Sequence, residues 1–159
     1  MAECRAALEA AGFEEVETHL QTGNVRVRTP MRTRAKVEAA MEKVFEQDRG
    51  FAVETLCLKP GELRKIVADA DEVASAYGVP GHGQYVELLR EAPDKEAVEL
   101  IEAQTADGQR FVVRERAIHL LLDKGFHELK APNAATKRAM GVSTNRNLNV
   151  LRTLSQKWG

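Results

Sequence analysis

The run Ser143-Thr144-Asn145-Arg146-Asn147 puts four small hydrogen-bonding side chains and one permanent cation within five residues. Leu148, Leu151 and Trp158 follow it, so Ser143 or Thr144 reads as the cap of a last helix with Arg146 in its first turn. A helix N-terminus carries unpaired N–H groups and partial positive charge, and a cation there costs roughly 0.3–1 kcal/mol. A carboxylate from elsewhere in the fold can neutralise it, or a bound anion such as a phosphate can. On the second reading, Thr144, Arg146 and Asn147 are ligand-binding candidates. A second polar group is Gln21-Thr22-Gly23-Asn24. Gly23 and Asn24 tolerate positive φ, which suits a purely structural turn. Alternatively, Thr22 and Asn24 line a cleft together with Gln21.

Other chemistries find little support. His19, His82, His119 and His127 show no metal-ligand spacing, so no metal and no cofactor is expected. His119, between Ile118 and Leu120, is expected on the outward face of a strand. His82 sits among glycines, and His127 follows the loop Asp123-Lys124-Gly125-Phe126. There is no Ser-His-acid set, phosphate loop or dinucleotide fingerprint, so no catalytic residue can be named and enzymatic activity stays open. Cys4 and Cys57 cannot form a disulfide framework, and both suit small buried apolar positions. That usage points to a reducing, cytoplasmic location.

The charge is unevenly spread. The 159 residues carry a formal net charge of −1. From Lys124 onward there are seven basic residues and one acid, whereas the preceding 123 residues hold 16 basic and 23 acidic. This basic segment supports a small anionic ligand, or alternatively a nucleic acid held electrostatically by the C-terminal helices. Only Trp158 and Phe126 interleave with its charges, too few for a base-stacking platform. No apolar run approaches the ~20 residues of a membrane span, and no secretory signal opens the chain. Oligomeric state is left open.

The elements that must position these residues follow from periodicity. Residues 3–12 predict a helix ending at Gly12. Strands follow around Val16 and Val25, joined at Thr22-Gly23. Val37, Ala40, Met41, Val44 and Phe45 mark a helix after Thr33. Phe51 to Leu58 predicts a third strand, and Pro60 opens a helix on Leu63, Ile66, Val67 and Ala70. From Asp71 to Gly83 the pattern fails, which predicts a linker between subdomains 1–75 and 84–159. The second half predicts strands at Tyr85–Leu89, Arg110–Arg114 and Ala117–Leu122. A helix capped by Asp94 follows the first of these, and two helices close the chain. The fold class is therefore α+β in two small subdomains. The first resembles a split β-α-β (ferredoxin-like) unit without its opening strand, and the second is β-α-β-β plus two helices.

Two segments carry a family resemblance. Ala11 to Val25, with Gly12-Phe13, Val16, Thr18 and Gln21-Thr22-Gly23-Asn24-Val25, resembles a segment of the bacterial domain of unknown function 1697 family. Gly141 to Asn149 is similar to that family's C-terminal signature. There Leu148 stands for a tryptophan and Val150 for a threonine, while Thr22 replaces a serine in the first segment. The resemblance implies a bacterial cytosolic α+β protein and assigns no activity. It also implies a first strand and glycine-rich loop, and Met1 falls where the family's first helix begins.

Overall fold

A computed structural model describes residues 2–20, 22–78, 81, 83–128 and 131–159, with the backbone alone at Phe126. The chain is mixed α+β and forms two compact units, which meet in sequence at Leu58 and Lys59. Gln21 and His82 lie outside the described residues.

The first unit holds α1 (Ala2–Ala10), β1 (Glu14–His19), β2 (Asn24–Arg28) and α2 (Arg34–Arg49). β1 and β2 form an antiparallel hairpin. Arg26 bonds Glu17 at 2.7 Å and Arg28 bonds Glu15 at 2.8 Å across its outer face. The core is small: Leu8, Phe13, Val16 and Met41 are buried, and Cys4, Val37, Phe45 and Cys57 pack around them half-buried. Burial pushes the Cys4 thiol pKa up. α2 ends where Gly50 adopts φ 75°, a left-handed cap that glycine takes without a Cβ penalty.

The strand expected over Phe51–Leu58 does not form. The segment is irregular and takes side-chain partners instead of a strand. Thr55 N–H donates to Glu42 and Cys57 N–H to buried Glu38, each at 2.9 Å. Two carboxylates one turn apart on α2 thus meet alternate backbone donors. The first unit's described sheet has two strands, not the three expected.

The second unit runs α3 (Pro60–Tyr77), β3 (Gly83–Leu89), α4 (Lys95–Glu102), β4 (Gln109–Arg114), β5 (Ala117–Leu122), a short 3-10 turn, α5 (Ala134–Met140), β6 (Ser143–Asn147) and α6 (Leu148–Trp158). α3 continues through residues expected to be loop, because Val73 extends the stripe of Leu63, Ile66 and Ala70 into the core. Asp94 caps α4 by accepting from the Ala97 N–H at 2.8 Å. The antiparallel sheet has the order β4-β5-β3-β6.

Helices cover both faces of this sheet. Val73 of α3 packs on Val112 and Leu121. On the opposite face Ile101 of α4 and Met140 of α5 pack with Leu89, Phe111, Val113, Ile118 and Leu120. β5 is consequently buried along its whole length. The outer edge of β4 is closed by its neighbours: Phe111 N–H donates to Thr105 Oγ1 at 3.1 Å and Val113 N–H to Glu102 at 2.9 Å. Arg116, in the β4–β5 turn, is buried and donates to Leu89 O at 3.0 Å and to Glu62 at 2.8 Å.

His119 corrects its expected exposure. It is fully buried in β5, and neither ring nitrogen has a hydrogen-bond partner. Burial lowers its pKa to about 4; Asp69 opposes that shift, while Arg114 and Lys65 reinforce it. The unfolded chain takes up a proton near pH 6.5 that the folded chain refuses. Stability is therefore highest above pH 6.5 and falls as pH drops from 6.5 to 4. The loss is about 3 kcal/mol, from 1.36 kcal/mol per pKa unit. Urea unfolding across that range measures it, and His119→Leu is expected to flatten the slope. A second expectation concerns the β4 edge. Glu102→Ala, which strands the Val113 N–H, costs about 1–3 kcal/mol, and Glu102→Gln costs less because an acceptor remains.

Candidate functional site

The five residues singled out by sequence fall in separate units. Thr22 and Asn24 belong to the hairpin of the first. Asn24 is buried there, and its amide donates to His19 O at 3.1 Å and to Thr22 Oγ1 at 3.0 Å. Gly23 takes φ 79° in the same turn. Both side chains thus take part in closing the turn.

Thr144, Arg146 and Asn147 lie in the second unit, and their local structure differs from the expected helix start. Residues 143–147 form β6, an edge strand paired antiparallel with β3. α6 begins at Leu148, with Asn147 as its cap accepting from the Asn149 N–H at 2.9 Å. Arg146 therefore precedes the helix instead of sitting in its first turn. Its guanidinium donates to Thr144 Oγ1 at 2.8 Å and to Asn145 O at 2.7 Å. Burial lowers its pKa, and Glu87 opposes that shift.

Strand alternation then sorts the polar run onto two faces. Ser143, Asn145 and Asn147 share a face with their partners Leu89, Glu87 and Tyr85. Thr144 and Arg146 take the other. The first of these faces opens a cleft of about 390 Å³. Phe111, Ile118 and Leu120 form its apolar floor, Met140 and Pro132 its wall, and Lys137 its rim.

Glu87 is the unusual member. It sits where the apolar part of this face meets the polar β6 edge, opposite Ile118 on one side and Asn145 on the other. Ser143 Oγ donates to its Oε1 at 2.6 Å and Asn145 Nδ2 donates to its Oε2 at 3.0 Å. Both donors are neutral. The signal in the sequence is the alternation Tyr85, Glu87, Leu89, which puts a carboxylate on a core-facing position. Its meaning depends on Ser143 and Asn145, which sit 56 and 58 positions away.

A second cleft, of about 410 Å³, lies at the end of α3 and is lined by Tyr77, Asp107, Arg110 and Asp123. Two of its polar groups are engaged: Arg110 stacks 4.5 Å from the Tyr77 ring centre, and Asp123 accepts from the Gly81 N–H at 2.9 Å. The basic C-terminal segment is likewise partly answered within its unit, since Arg152 pairs with Asp71 of α3 at 2.5 Å. Among the described residues no His, Cys, Asp and Glu cluster could hold a metal, and no helix is long and apolar enough to cross a membrane.

A protein-family match covers residues 1–119, to the family described as protein of unknown function (DUF1697). The span includes the Ala11–Val25 segment, Glu87, Phe111 and Ile118; Leu120, Lys137, Ser143 and Asn145 lie beyond it. No curated protein and no solved structure matches the chain.

The hairpin geometry makes one expectation. Asn24→Ala lowers stability by about 1 kcal/mol through the lost turn bonds, read as a fall in unfolding midpoint. An unchanged midpoint would show that the turn does not need this side chain.

Proposed function

Since the chain belongs to the DUF1697 family of proteins of unknown function, its chemistry has to be read from its own residues, and we propose that the second unit binds a small amphipathic molecule in the Glu87 cleft. The observation that carries this reading is a carboxylate beside the apolar residues Ile118 and Leu120, held by two neutral donors. Each of its oxygens accepts one bond and keeps capacity for another. A ligand with an apolar body and a cationic or N–H end would cover the floor and complete the acceptors. Charge assistance makes an ammonium the strongest such donor.

The anionic ligand expected at Thr144, Arg146 and Asn147 has less support. None of the three lines the cleft, and each already makes a local bond. An anion also gains little beside the Glu87 carboxylate. The cleft is therefore the preferred locus, with Lys137 as its cationic group.

Phenethylamine is a suitable probe, because it joins a phenyl body to one ammonium. Titration by amide NMR should move the signals of Glu87, Ser143 and Asn145 together, with saturation. Glu87→Gln keeps the size and an acceptor but removes the charge, and should weaken binding by about tenfold or more. Shifts scattered over the surface, or an unchanged affinity in Glu87→Gln, would exclude this reading.

A further inference from the structure

Resting on that reading of the cleft, we infer that its ligand is a zwitterion of the amino-acid type with an apolar side chain. Its ammonium would sit on Glu87, its carboxylate would face Lys137, and its side chain would lie on Ile118 and Leu120.

The inference comes from two opposite charges that share one cleft without meeting. Glu87 and Lys137 both line it, Glu87 half-buried and Lys137 exposed. Among the described residues no ion pair joins them, and the Glu87 oxygens are engaged by Ser143 and Asn145 instead. Lys137 stands in the last turn of α5, where a cation suits the partial negative charge of the helix end. The helix itself is fixed at both ends. Asn133 caps its start at 2.9 Å from the Thr136 N–H, and Gly141 closes it with φ 62°. Thr136 on the same helix is buried. The backbone that carries Lys137 is thus fixed beside the cleft, and its flexible stem can bring the ammonium to a bound carboxylate.

Two separated charges of opposite sign select against a ligand with one charge. A simple amine satisfies Glu87 and brings its own positive charge close to Lys137. A simple acid satisfies Lys137 and meets the Glu87 carboxylate. Only a ligand with both charges, ordered like the two side chains, gains from each. The apolar floor then reads the remaining side chain, where area and shape decide, so an aromatic or branched aliphatic group is favoured over a short polar one. A cleft of about 390 Å³ lies at the small end of the range for ligand pockets, which suits a molecule of this size.

The test compares three probes on the full chain by calorimetry and amide NMR: L-phenylalanine, phenethylamine and 3-phenylpropanoate. The three share a phenyl body and differ in charge. L-Phenylalanine should bind at least tenfold more tightly than either singly charged probe. Lys137→Met, an exposed position whose side chain makes no hydrogen bond or ion pair among the described residues, should bring L-phenylalanine down to the affinity of phenethylamine, which loses a nearby like charge and does not weaken. Glu87→Gln should weaken both amines. If phenethylamine binds as tightly as L-phenylalanine and Lys137→Met changes neither, the zwitterion inference is overturned while the cleft reading stands. If 3-phenylpropanoate binds best, or no probe moves the Glu87 signals, the cleft reading fails and this inference with it.

Discussion

Short sheets leave backbone donors along their edges, and a buried donor without a partner costs about as much as a lost hydrogen bond. This chain meets that constraint with side chains carried on, or just after, the neighbouring helices. Glu102 ends α4 and accepts from Val113, and Thr105 just beyond it accepts from Phe111. In the first unit Glu38 and Glu42 of α2 accept from Cys57 and Thr55. The helix therefore does more than cover a face. It completes a backbone that no strand completes, and this is why an apolar extended stretch such as Phe51–Leu58 persists without entering a sheet.

The second sheet depends on this closure. With β4 sealed along its outer edge and β5 buried throughout, its polar exceptions stand out and are handled differently. His119 lies on the α3 face as a neutral ring without partners, held near pKa 4 by desolvation. Glu87 lies on the opposite face and keeps its acceptors supplied by Ser143 and Asn145. A neutral imidazole is much cheaper to bury than a charge, so it can be tolerated unbonded. A carboxylate beside apolar residues needs donors, and the β6 side chains provide two. Glu87 also lines the cleft, whereas His119 does not, and that difference separates a packing residue from a candidate binding residue.

Local pattern carried much of the fold. The 3.6-residue stripe of α2, the Asp94 cap of α4, the strands β4 and β5 and the stop at Gly141 are consequences of local sequence pattern, and all appear where the sequence predicts them. The departures share a cause. Phe51–Leu58 has the composition of a strand, but a strand also needs a partner with free donors and acceptors, and α2 supplied side chains first. α3 runs past Asp71 because Val73 finds Val112 and Leu121 on a sheet formed by residues about 40 positions later. Ser143–Asn147 looks like a cap and becomes a strand because the open edge of β3 accepts it.

The candidate site divides along the same line. From sequence alone came the polarity of the 143–147 run, the basic excess after Lys124, and the family to which the Ala11–Val25 segment belongs. Which of those side chains meet was decided only by tertiary structure. Alternation in a paired strand sends Ser143 and Asn145 to one face and Thr144 and Arg146 to the other, and the register with β3 sets Asn145 opposite Glu87. Residues 58 positions apart become neighbours through backbone hydrogen bonds that no local pattern encodes. The polar chemistry is written in residue types, while its direction is a property of the sheet.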